Sequence, residues 1–462
     1  VRIHVEVVIE GHATRQRIAT VERNVMPAAG EGLGLSLEEA KGLIGHLQTI
    51  VCEEQTSEMV AAISTCAVCA QALARKSSAS IVYRTAFGKL RLSSPRLYSQ
   101  CRCGARACGS DSFNPLALVL TERTHPELLY LQTRWAGSMS YERAARLLRD
   151  VLPLDAAPGS SSIKAQVQKA GRAIATAQCE RGEHFFETQP LVFPDRPAAQ
   201  AAHVLEIDAA YIRGVADKCD GRNSFGITIS RLVKPDGPGA WHAYVSAQTL
   251  APLTRLHHFL HQQDVAPHMP LAIISDGGED VLHPTFLPWR PVQRILDWFH
   301  ISMRFEHVMQ RLRGLSKSEP RTAAALLKRV ASAKWRLWHG RAAGCLDQLK
   351  FVSARCNGPP HDRVDELIAY LSRNRDRLVS YAARYRQGLP ISTSTAESAV
   401  ESVVGDRFKK NRKMRWTPAG ANALLHIRVA DLNGQLVNAL RDRHWTRPKV
   451  AANDRWVYDW AA

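Results

Sequence analysis

Between His203 and Gly214 the chain reads HVLEIDAAYIRG, and no other stretch constrains the fold as strongly. Its β-branched and aromatic residues make it a strand centred on Asp208. An aspartate in a strand is ordinarily an edge or turn residue. Here apolar residues stand on both sides of it, so the strand belongs inside a sheet. An unpaired carboxylate in that position is costly, which favours a working role for Asp208.

The pattern around this strand sets the fold class. SFGITISRLV and WHAYVSAQTL read as two further strands joined by the turn PDGPGA, and PLTRLHHFLHQQ reads as a helix. LAIISDGGED is a buried strand ending in Asp276 and a Gly-Gly turn, where the aspartate is either a turn former or a second working carboxylate. VQRILDWFHISMRFEHVMQRL is a strand running into a helix, with His300 read as a core histidine. The expectation is an α/β domain with one carboxylate in its first strand and another just past its fourth.

Upstream, residues up to Gly34 give little pattern. Ser36-Leu-Glu-Glu39 is a capping box, and the apolar spacing after it predicts a helix to about Ile63, serving packing or dimerisation. Cys66-Ala-Val-Cys69 and Cys101-Arg-Cys103 flank IVYRTAFGKLRLSSPRLYSQ, which reads as two strands turning near Gly88. Two cysteine pairs around a hairpin resemble a zinc ribbon, in which four thiolates replace a missing core. Cys108 is an alternative to Cys101 or Cys103. Arg84, Lys89, Arg91 and Arg96 would turn such a ribbon towards DNA. From Asn114 to Gln178 two helices, a turn and a basic third helix resemble a helix-turn-helix. ETQPLVFPDRPAAQAA then reads as a linker.

Downstream, residues 311–390 are helical and basic. The stretch ISTSTAESAVESVVGDRFKKNRKMRW follows, with Glu397 and Glu401 one α-helical turn apart. Behind them come Arg407, Lys409, Lys410, Arg412, Lys413 and Arg415. Carboxylates beside a cationic run suit a hard metal ion next to a polyanion. Spacing alone does not choose between the two glutamates. The net charge of +18 favours a nucleic-acid or anionic-membrane partner. No apolar run reaches the roughly 18 residues of a bilayer span, and the first residues lack signal-peptide order, so a cytoplasmic protein is expected. The boundaries that follow are 1–63 (arm), 64–113 (ribbon-like), 114–185 (helical DNA-binding unit), 200–310 (sheet), 311–390 (helical), 391–434 (glutamate helix and basic segment) and 435–462 (tail).

Taken together, EIDAAYIRG, IISDGGED, ILDWFHISMR, KWRLWHG and the glutamate stretch resemble the DDE transposases of bacterial insertion sequences, closest to the Kra-type family. ERTHPELLYLQTRWAGSMSYERAARLLRDVLP is similar to that family's N-terminal half, so the likeness runs from about Cys66 to Gly434. The sequence departs from the family at Glu401, where an uncharged polar residue is expected. The resemblance implies an RNase H-like catalytic core, interrupted by a helical insertion, with Asp208, Asp276 and Glu397 as the triad for Mg²⁺ or Mn²⁺. It also implies cleavage at terminal inverted repeats followed by attack of the freed 3′-OH on target DNA, by a homo-oligomer assembled on DNA. The competing readings are a structure-specific nuclease of the same fold and a non-catalytic DNA-binding regulator.

Overall fold

The computed structural model describes residues 1–11, 15–24, 33–66, 69–98, 112–120, 122–154, 158–188, 203–215, 224–235, 237–245, 252–266, 269–278, 292–315, 320–393, 400–409 and 414–444. Contacts divide them into two units, one from Val1–Ala170 and Gln435–Ala462, the other Gly171–Gly434.

The first unit opens with an antiparallel hairpin, β1 (Arg2–Val8) and β2 (Arg15–Glu22). Helix α1 (Leu37–Ala62) follows, and both arms of its capping box form: Ser36 Oγ accepts from Glu39 N, and Glu39 accepts from Ser36 N at 2.8 Å. Strands β3 (Ala74–Thr85) and β4 (Gly88–Tyr98) make the expected second hairpin, turning at Ala86-Phe87. Leu90 and Leu92 alternate inward onto Leu116 while Lys89 and Arg91 stay exposed. Then come α2 (Pro126–Ser138), α3 (Tyr141–Val151) and α4 (Ser160–Thr188). The helical unit expected over 114–185 is therefore shared, because α4 passes the division at Ala170/Gly171.

The second unit is built on a five-stranded mixed sheet. Its strands are β5 (His203–Arg213), β6 (Ser224–Val233) and β7 (Ala240–Val245), then helix α5 (Pro252–Gln262), then β8 (Leu271–Ser275) and β9 (Val292–Leu296). The spatial order is β7-β6-β5-β8-β9; the first three are antiparallel, whereas β5, β8 and β9 run parallel. Alternation along β5 sends Leu205 and Ile207 towards Leu256, Phe259 and Leu260 of α5. Val204 and Ile274 face the opposite way, onto a helical layer of α6 (Trp298–Leu315), α7 (Pro320–Trp338), α8 (Ala342–Ser353) and α9 (Pro359–Arg373). Short α10 (Tyr381–Arg386) completes that layer.

Residues Val400–Lys409 then wind as a π-helix, and α11 (Pro418–Leu432) follows. The expectation of an α-helical face for Glu401 is corrected by that winding, whose i→i+5 bonds widen each turn. Asn433 mimics a strand neighbour for the outer strand β7, accepting from Trp241 N and donating to Trp241 O at 2.8 Å each. Helix α12 (Leu436–His444) packs against α2, so the described part of the tail belongs to the first unit.

At Gly171 helix α4 meets α11 backbone to backbone: a Cβ there would lie 1.9 Å from Ala423 O. Gly171→Ala is expected to destabilise the chain by about 3 kcal/mol, because neither backbone can yield without separating the helices. A denaturant melt that leaves the midpoint unchanged would remove this contact from the account.

Candidate functional site

Three parallel strands bring three aspartates into one row: Asp208 lies within β5, Asp276 directly follows β8 and Asp297 directly follows β9. β5 pairs with β8 through Glu206↔Ile274, and β8 pairs with β9 through Ser275↔Leu296. Carrying the first register on by two residues sets Asp208 beside Asp276. Carrying the second on by one sets Asp276 beside Asp297. With strands about 4.8 Å apart, the row spans about 10 Å along the carboxyl end of the sheet, the usual ligand edge of parallel strands.

Asp208 shares a face of β5 with Val204, the face towards α6. It is half-buried, and Oδ1 accepts from Ala209 N at 2.7 Å. Burial pushes its carboxyl above the usual aspartate range, and the charges of Asp276 and Asp297 push it further; His300 and the Ala209 N–H oppose the rise. Asp276 sits on a Gly-assisted turn. Its Oδ1 accepts from Gly278 N at 2.9 Å, and its carbonyl accepts from the Tyr370 hydroxyl at 2.8 Å. Gly277 has φ +84, and a Cβ there would strike Leu296 and Asn374, so only glycine fits.

Asp297 was not among the residues singled out from the sequence. It is fully buried and accepts from Phe299 N at 2.7 Å, His300 Nδ1 at 2.8 Å and the Thr393 hydroxyl. His300 is thus no plain core histidine. The bond to Asp297 raises its pKa, burial opposes, and the charges of Asp297, Asp276 and Asp208 add to the rise. The signal was present as Asp297-x-x-His300, one helical turn apart at a strand-to-helix junction, where the aspartate accepts from the first-turn N–H. Asp297→Ala leaves three donors without their acceptor, one buried and two partly buried. It is expected to cost about 3 kcal/mol, whereas His300→Gln, with an exposed flank, costs less. Equal melting points for Asp297→Ala and the parent chain would refute this.

Thr393 brings the downstream segment to the same edge, as does Trp298 N donating to Ile391 O at 3.0 Å. Beyond it, residues 394–399, including Glu397, lie outside the described residues. The π-helix buries Val403, Val404 and Phe408 and packs against β5. The next stretch joins β5 by paired bonds, Val215 N to Trp416 O at 2.9 Å and Trp416 N to Arg213 O at 3.0 Å. Arg407 is corrected from a DNA-facing residue to a packing residue. It is 2% exposed, lies 4.8 Å over the Trp416 ring and donates to Met414 Sδ. Arg415 is exposed; Lys410, Arg412 and Lys413 lie outside the described residues, as does the side chain of Lys409.

Cys66 is buried and Cys69 exposed on a tight turn, with Ala70 N donating to Cys66 O at 2.9 Å, ahead of β3. Cys101, Cys103 and Cys108 fall outside the described residues. Among the described residues no three His, Cys, Asp or Glu side chains converge closely enough to hold an ion by themselves. No described helix is long and apolar enough to cross a membrane. No known protein family matches the sequence, and no curated protein matches it either.

Proposed function

We propose that the chain is a DDE-type DNA transposase of the Kra-type insertion-sequence kind, acting on DNA from an RNase H-like core. The observation that carries this reading is the register that aligns Asp208 with Asp276, with the segment leading to Glu397 tied to the same edge through Thr393. The mixed five-stranded sheet, of order β7-β6-β5-β8-β9, is compatible with such a core. The helices between Asp276 and Glu397, 121 positions apart, stand where the family carries its insertion.

Carboxylates gathered at one edge suit hard divalent cations, and a cation would offset the cost of keeping Asp208 charged, which burial sets first and Asp276 and Asp297 add to. When bound, Mg²⁺ or Mn²⁺ would activate an oxygen nucleophile and stabilise the leaving oxygen. Asp208, Asp276 and Glu397 would hold the ions. Asp297 orients His300 beside them, and Arg415 with its basic neighbours would hold the DNA backbone. The test is a strand-transfer assay with labelled element ends and Mg²⁺. Joined products support transposition; cleavage without joining makes the chain a nuclease, and binding alone makes it a regulator.

The hairpin β3–β4 behind the Cys66-x-x-Cys69 turn supports a zinc ribbon completed by Cys101 and Cys103. Purified, reduced protein should carry about one zinc per chain. Elemental analysis finding none removes the ribbon.

A further inference from the structure

Helix α7 carries Arg321, Lys328, Arg329, Lys334 and Arg336 and no carboxylate. Its inner face, Ala323, Leu326, Val330, Ala333 and Leu337, is buried. Away from that face, Arg321, Lys328 and Trp335 recur every seven residues, so they point the same way and stand about 10.5 Å apart. Small exposed residues, Ala324, Ala325 and Ala331, fill the spaces between them.

Two features mark this stripe as unfinished. Lys334 is engaged with Glu306 and Arg329 with Gln348, whereas Arg321 and Lys328 have no side-chain partner among the described residues. Trp335 is 64% exposed, a large apolar ring left in water at the end of a cationic row. His339, one turn on, meets the indole edge-on at 4.5 Å and limits its swing. The last turn of α7 also returns to the start of α6: Trp338 lies 4.8 Å from Trp298, the residue after Asp297. The helix that carries the stripe is thus packed onto the helix that follows Asp297.

The complementary ligand is a polyanion that also offers flat apolar rings. A duplex hides its base faces and acidic side chains carry no rings, whereas single-stranded nucleic acid offers a phosphate and an open base face in every unit. We propose that Arg321, Lys328 and Trp335 form a track for single-stranded DNA, with phosphates at the cations and an unpaired base stacked on Trp335. The proposal rests on the reading of the chain as an enzyme acting on DNA.

The test uses the full chain carrying Asp208→Asn, without divalent metal, and an oligothymidylate of about 20 nucleotides with one 2-aminopurine. Anisotropy reads binding, and 2-aminopurine fluorescence reads stacking. Trp335→Ala should weaken single-strand binding about tenfold and lose the quenching, while Trp335→Phe keeps most of both. Lys328→Ala should lower the salt slope by about 0.7. Duplex binding should not respond to Trp335→Ala. The track is overturned if Trp335→Ala binds the single strand like its parent, or weakens single strand and duplex equally. It is also overturned if that change shifts the sedimentation of the DNA-free chain, which would make the stripe a self-association face. A chain that stacks the oligonucleotide but never cuts element ends sinks the transposase reading alone.

Discussion

Replacing Asp208 by asparagine is expected to abolish metal-dependent DNA cleavage while making the metal-free chain slightly harder to melt. The two effects have one cause. Asp208 is half-buried in the row it makes with Asp276 and Asp297, and its carboxyl is held above its ordinary value by burial and then by those charges. A carboxyl whose folded pKa lies above the unfolded one binds its proton more tightly when folded. Stability is therefore lost as pH rises from the unfolded value, about 3.9, through the folded one. Asparagine carries no charge, and its Oδ1 can still accept from Ala209 N, so the cost vanishes and the strand keeps its local bond. The melting temperature of the metal-free chain should rise by about 2–4 °C. Mg²⁺ should raise the parent's melting temperature and leave the variant's unchanged. Cleavage should fall on the order of 10³-fold, the value of several kcal/mol of lost transition-state stabilisation. Asp276→Asn should fail in the same assay. Either variant cutting labelled DNA at the parent rate would end the two-metal reading.

The sheet was legible because its strands are apolar runs bounded by turn residues. LAIIS is buried at every position, and SFGITISRLV and WHAYV pair across the turn PDGPGA as their sequences suggest. The capping box at Ser36 was equally plain, since its partner lies three residues away. β1 and β2 were not read, although RIHVEVV alternates: most of their side chains are exposed, so composition offers no buried stripe to find. Asp297 was missed for a different reason. Asp297-x-x-His300 encodes its local bond, but its place in the aspartate row depends on β9 lying next to β8 in register, which that spacing does not encode. Arg407 misled because a cation inside RFKKNRKMRW looks like its neighbours; its burial over Trp416 comes from the π-helix turning that one position inward. Glu397 and Glu401, equivalent by spacing, become separable only through what flanks them.

Glu397→Gln is expected to abolish both cleavage and joining, on the order of 10³-fold, with DNA binding intact, whereas Glu401→Gln retains measurable activity. Two constraints distinguish the pair. Thr393 is hydrogen-bonded to Asp297, and Glu397 follows it by only four positions in the sequence, a reach of at most about 14 Å of chain. Glu401 is the second residue of the π-helix, beyond that tether. The resemblance that pairs Glu397 with the family's glutamate also keeps Val403-Val404, Arg407-Phe408 and Trp416 in step. Those are the residues this chain buries where the π-helix and the following stretch pack beside β5. Moving the assignment to Glu401 would shift every one of them by four positions. The check is a pair of single-turnover assays with Mg²⁺, one reading strand cleavage and one reading joining, alongside anisotropy on the same labelled ends. Activity surviving Glu397→Gln but lost in Glu401→Gln would transfer the ligand role to Glu401.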